Sequence, residues 1–201
     1  MSLSRDRSPS QGMLATVPML FALQQVAEGF VWVTIGHASG SWLHHLAVAA
    51  FLGFALVVWP VWIPLAFTLP EANPGRRRLL SVLTAIGVVV SLGATFMLLR
   101  GRPIAHVAGH SIAYSYVQAG PTIVVALYLP MYVIPSVVPF FVSTIRWAKP
   151  MGAVLVLALL ATFVIERQAL TSVWWFFAAI LSGFTILAMA PQRRPLALTR
   201  S

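Results

Sequence analysis

The run LLSVLTAIGVVVSLGATFMLL, residues 79–99, carries no charge over twenty-one positions and is bounded by Arg76, Arg77 and Arg78 before it and Arg100 after it. A helix of that length spans ~31 Å at ~1.5 Å per residue, the thickness of a bilayer's hydrocarbon core. Five further apolar stretches flank it, at 13–35, 41–69, 121–143, 150–165 and 170–190. Each is long enough to cross, 150–165 barely and 41–69 with tilt. Of 201 residues 59% are hydrophobic and 8% charged, and the mean hydropathy is +0.88. Such a chain cannot cover a soluble head domain with polar surface, so its principal partner is the lipid bilayer. The expected fold class is all-α, a polytopic integral membrane bundle of six transmembrane helices.

Charge placement gives an orientation. With the amino terminus in the cytoplasm, Arg5, Arg7, Arg76, Arg77, Arg78, Arg146, Lys149, Arg193, Arg194 and Arg200 fall inside, and Arg100, Arg102 and Arg167 fall outside. Retention of Lys and Arg on the cytoplasmic side then favours both termini inside. The expected organisation is a polar cytoplasmic tail over 1–12, a transmembrane domain over 13–190 and a basic cytoplasmic tail over 191–201. Trp42 and Trp59, seventeen residues apart, are expected at opposite interfaces of the second span. Trp32 and Trp174 are expected at the outer belt, and Trp62 and Trp147 at the inner. The prolines at 60 and 64, and at 130, 135 and 139, predict kinks whose freed carbonyls need lateral partners. The formal charge of +9 is dispersed in short runs between spans, which excludes a nucleic-acid stripe. The absence of cysteine excludes disulfides, thiolate metal sites and cysteine nucleophiles.

On this topology the titratable side chains gather toward the outer surface. Glu28 lies inside the first apolar run, where an ionised carboxylate must be paired, hydrated or protonated. Gln24 lies one helical turn away, and Gln25 and Trp32 share a helical face with Glu28, so a polar stripe is expected to face the bundle interior. His44 and His45 open the second span at a comparable depth, if the first two helices pair as antiparallel neighbours. His106, His110, Tyr114 and Gln118 recur every fourth residue, which predicts an outer interfacial helix over 103–119. Two histidines at that spacing can hold a divalent metal ion, with Glu28 or Glu166 completing the shell.

Four ordered stretches carry a resemblance: LFALQQVAEGFVW (20–32), WPVWIP (59–64), GHSIAY (109–114) and SVWWFFAA (172–179). Together they resemble an uncharacterised bacterial family of multi-spanning membrane proteins, a domain of unknown function. Members of that family usually open with a short Met-Cys-Phe-Ser element and one further helix, and this chain carries neither. The resemblance implies a multi-pass protein of the bacterial cytoplasmic membrane, with Gln24, Gln25, Glu28, Trp32, His110 and Tyr114 in the family's characteristic segments. It implies no reaction.

The preferred expectation is a sensor or transport component, not an enzyme, binding a small ligand or ion in an outward-facing pocket of Glu28, Gln24, Gln25, His44, His45 and Tyr114. One alternative is a metal-dependent intramembrane hydrolase, with His106, His110, Glu28 and Glu166 around the ion. The other is a structural accessory subunit of a larger membrane complex or oligomer.

Overall fold

The computed structural model describes residues 9–109, 111–116 and 122–165. In chain order these form α1 (Pro9–Ala15), α2 (Val17–Thr34), α3 (Trp42–Leu52), a π-helical segment (Gly53–Val58), α4 (Trp59–Thr68), α5 (Pro74–Gly101), strands β1 (Pro103–Ala108) and β2 (Ser111–Tyr116), α6 (Thr122–Val142) and α7 (Ala148–Ile165). Three continuous helical stretches, Gly12–Thr34, Trp42–Thr68 and Pro74–Gly101, are long and apolar enough to cross a membrane. They lie within a few residues of the first three expected segments, although helix begins already at Pro9, inside the expected tail. The expected last span over 170–190 and the tail over 191–201 lie outside the described residues.

Helix boundaries follow from local chemistry. The Asn73 side chain accepts from the Arg76 amide at 3.1 Å and Pro74 follows in the first turn, so α5 starts with a capped amide and a residue that needs no donor. It ends at Arg102, in the left-handed region at φ 41°, just before Pro103. Ser41 caps α3 by accepting from the His44 amide at 3.2 Å.

The second span is bent by sequence. The Trp59 amide bonds to the Phe54 carbonyl, one residue further back than in an α-helix, and so passes over Ala55. The Tyr132 hydroxyl on α6 donates to that Ala55 carbonyl at 2.7 Å. Pro60 has no amide for Leu56, whose carbonyl takes the Tyr128 hydroxyl at 3.4 Å, and Ser91 donates to the Val57 carbonyl at 2.6 Å. Pro64 likewise leaves the Pro60 carbonyl without its helical donor, and it lies against Gly87 on α5. A methyl group on Gly87 would overlap that carbonyl and come 2.6 Å from its carbon, so only glycine allows the approach. For Ala55, Leu56 and Val57 the lateral donors that an apolar surround demands come from neighbouring helices.

Two apolar cores divide the bundle. One joins Phe21, Trp59, Phe67, Leu80, Phe140 and Leu155, from α2 and α4 through α7. It lies toward the end where the connections after α4 and α6 meet. There Glu71 accepts from the Thr144 amide at 2.9 Å, the Thr144 hydroxyl at 3.1 Å and the Asn73 amide at 3.0 Å. The second core joins Ala27, Val31, Val48, Phe51, Ala105 and Ile112, and brings the β-hairpin against α2 and α3 at the opposite end.

Two expectations are corrected here. The segment 103–119 is not an interfacial helix: residues 103–108 and 111–116 form an antiparallel hairpin with His106 opposite Ala113 and Ala105 opposite Tyr114. Ala108 pairs with Ser111, and Gly109 after it stands at φ 61°, a conformation that suits a tight hairpin. The β-branched and aromatic residues of ValAlaGlyHisSerIleAlaTyrSerTyr outweigh the four-residue recurrence. Trp59 is not an interfacial ring; it is 1% exposed in the core, whereas Trp42 is 75% exposed.

Candidate functional site

The inward face of α2 carries Phe21, Gln24, Ala27, Glu28, Val31 and Thr34, all buried. Their three- and four-residue spacing is the helical stripe the sequence suggests. Gln25 and Trp32 fall outside it and are exposed, so the polar stripe is narrower than expected. Gln24 is wholly buried. Its Oε1 accepts from the Trp59 indole at 2.7 Å, and Phe21 stacks on the same indole at 4.0 Å. This bond fixes the orientation of the amide and leaves Nε2 buried with no hydrogen-bond partner.

Glu28 is one turn further along and 6% exposed. Tyr114 reaches it from β2, close enough for the carboxylate to act on the phenol. Burial first, and then the Glu28 charge, push the Tyr114 phenol well above its ordinary range, so Tyr114 stays protonated. Its ring stacks on Phe51 at 4.8 Å and 13°, while its hydroxyl is buried with no hydrogen-bond partner. A buried carboxylate is therefore flanked along one face by an unpaired amide donor and an unpaired phenol. Leaving such groups unpaired costs ~1–3 kcal/mol each, a cost that a bound polar group or water would remove.

His44 lies nearer the α2–α3 connection and is buried. Its Nδ1 lies 2.8 Å from the Thr34 hydroxyl, which is also 2.7 Å from the Phe30 carbonyl. One hydroxyl proton can serve only one of these, so with it on the carbonyl, His44 carries its own proton on Nδ1. The pairing of α2 with α3 sets Thr34 and His44 near the α2–α3 connection, with Glu28 further back along the same buried face of α2. His45 is exposed, with its ring 5.9 Å from that of His44.

His106 is exposed on β1, and the register sets it on the face opposite Ala105 and Tyr114. The expected common stripe of His106 and Tyr114 is thereby broken. His110, Gln118 and Glu166 lie outside the described residues. Among the described residues no three His, Asp or Glu side chains converge as a metal site.

Sequence reasoning singled out Gln24, Glu28, His44 and Tyr114 but missed Phe51, Trp59 and Thr34, which hold three of them in place. Trp59 carries a signal in hindsight. An indole in the middle of a span needs a buried acceptor, and Gln24 is the nearest polar side chain on the preceding helix.

No curated protein and no solved structure matches this chain. The model of the Family of unknown function (DUF6629) matches residues 1–201, in accord with the resemblance seen in the motifs. The chain belongs to that family.

Proposed function

We propose that this protein is a six-span bundle with both termini in the cytoplasm, and that it binds a small cation, of which the proton is the simplest, at Glu28 beneath the hairpin on the outer side. The reading is carried by one observation: a buried carboxylate with two buried polar atoms without partners in its neighbourhood, Gln24 Nε2 one turn back on α2 and Tyr114 Oη on the hairpin. The Tyr114 oxygen has lone pairs to offer a cation beside the carboxylate, and Gln24 Nε2, a donor only, is placed to hold a water or the carboxylate itself. The stacked Phe51 and Tyr114 rings add an aromatic wall, which favours a cation beside the carboxylate. The ten-to-three split of basic residues supports the orientation, and a role as sensor or transport component accords with a site at the end of a broken-helix bundle.

The experiment follows the summed intrinsic fluorescence of the seven tryptophans, among them Trp59, whose indole is bonded to Gln24, in the purified full-length protein in detergent. Wild type and Glu28→Gln are titrated with protons between pH 5 and 9, sodium, magnesium, zinc and tetramethylammonium. Wild type is expected to give a saturable response to at least one of these, and Glu28→Gln to lose it. Identical curves for the two proteins across the whole panel would remove the proposal.

A further inference from the structure

The opposite end of the molecule carries a second feature that the Glu28 site does not use. Arg76, Arg77 and Arg78 stand at the start of α5, and Arg146 and Lys149 stand at the entry to α7. These two groups are about seventy residues apart in the chain and the fold fastens them to one end. Glu71, just before α5, holds the Thr144 amide and hydroxyl, and Arg76 Nη1 donates to the Val142 carbonyl at 3.3 Å. Five cations therefore share this end, and the one described carboxylate there, Glu71, is buried with its oxygens already taken by the loops. Arg77, Arg78, Arg146 and Lys149 are exposed.

We infer that these side chains form a binding site for the phosphate headgroup of an anionic phospholipid. The charge is of one sign and concentrated, and it sits where a bilayer presents phosphates. Cations in the first turn of α5 have the same sign as the positive end of its dipole, an unfavourable placement that a neighbouring anion reverses. The surface beside the cluster is apolar: Leu69, Leu79 and Trp147 are exposed, and the Arg146 guanidinium lies over the Trp147 ring at 5.6 Å. An indole with one apolar and one polar edge marks headgroup depth. Free phosphate would use the cations alone, whereas a phospholipid uses both the cations and the apolar flank.

The test takes the full chain in neutral detergent and compares binding of phosphatidylglycerol, phosphatidylcholine and inorganic phosphate by native mass spectrometry and by competition. Phosphatidylglycerol is expected to bind at least tenfold more tightly than phosphatidylcholine, with a preference that weakens as salt is raised. Arg77→Gln combined with Arg146→Gln is expected to reduce that preference at least threefold, leaving Glu71 and Arg76 to hold the loops. Equal binding of the two lipids overturns the inference, as does a preference insensitive to both salt and the double substitution. Competition by inorganic phosphate as strong as that by phosphatidylglycerol overturns the assignment to lipid. The salt series needs no variant, so a misfolded double substitution leaves the inference open to refutation.

Discussion

Glu71 and Glu28 are both buried, at 4% and 6% exposed, yet the fold treats them in opposite ways. Glu71 receives two backbone amides and a hydroxyl from loops that it ties together. Glu28 lies within a helix, next to an amide and a phenol whose polar atoms are unpaired. The first carboxylate is a fastener whose surroundings are saturated. The second sits in surroundings left incomplete, and in an apolar bundle incompleteness is the costlier and more informative state. The contrast extends along the second span, where Tyr132, Tyr128 and Ser91 cover the carbonyls that the bend exposes. Neighbouring helices supply donors to the carbonyls of Ala55, Leu56 and Val57, while Gln24 Nε2 and Tyr114 Oη near Glu28, like the Trp62 indole, are buried without hydrogen-bond partners.

Both ends depend on that bent span, so the largest effect is expected where it is most tightly pressed. Gly87→Ala places a methyl group against the Pro60 backbone, which cannot swing aside as a side chain can. A loss of about 3 kcal/mol is expected, read as a fall in the unfolding midpoint in detergent. Gly152→Ala meets Phe140 Cβ at 2.7 Å and the Phe141 ring at 2.9 Å, a milder overlap of which the ring can rotate away although the Cβ cannot, and it should cost less. If Gly87→Ala is tolerated as well as Gly152→Ala, the bend is not a rigid frame.

Glu71→Gln comes next, at about 2 kcal/mol, because it replaces a charged acceptor of several hydrogen bonds with a neutral side chain that has one acceptor oxygen. Burial by itself would raise the Glu71 carboxyl. The Thr144 and Asn73 amides, the Thr144 hydroxyl and the Arg76 charge overcome it and hold the group below its ordinary value. A pKa depressed in the folded state contributes stability that is complete above the unfolded value, about 4.3, and disappears as pH falls through the folded value. Acid unfolding of wild type below about pH 4.3 should therefore steepen relative to Glu71→Gln. Parallel pH profiles for the two proteins would deny Glu71 the role of fastener.

The sequence makes the spans legible because a long uncharged run has few alternatives to a membrane helix, and residues 79–99 show this most plainly. It makes Glu28 conspicuous for the same reason. The hairpin was hidden by a coincidence of period. His106, His110 and Tyr114 recur every four residues, which suits a helix, but the antiparallel pairing of 103–108 with 111–116 sets His106 opposite Ala113 and Tyr114 opposite Ala105. Glu71 resembles any interfacial acid, because its main partner, Thr144, lies 73 residues away and no local pattern announces the pairing. Trp59 looks like an interface residue when only its distance along the span from Trp42 is counted. Its partner on α2 becomes visible only when the helices are packed.

A smaller effect is expected where the two regions touch. Trp59→Phe keeps the ring stacked on Phe21 but removes the indole donor from Gln24 Oε1. That leaves a wholly buried amide with neither end paired, so about 1–2 kcal/mol should be lost. The free amide is then able to rotate, and the response of the Glu28 site to cations should weaken in parallel. Loss of stability with an unchanged response would show that Gln24 is core scaffolding independent of the site.

The smallest change in stability is expected from the residue with the most to do. Glu28→Gln preserves shape and some hydrogen bonding while withdrawing a charge from a medium that disfavours it, so stability should stay within ~1 kcal/mol or rise. The charge also acts on Tyr114, and its removal should lower the pH at which tyrosinate forms, although burial keeps that pH above the ordinary range. Thermal unfolding reads the first effect, and the ultraviolet difference spectrum of the protonated phenol, which a neighbouring charge displaces, reads the second. A loss as large as that of Glu71→Gln would make Glu28 a second fastener, and the difference between the two ends would vanish. A near-neutral midpoint together with a shifted phenol identifies a charge that the fold keeps for something other than its own cohesion.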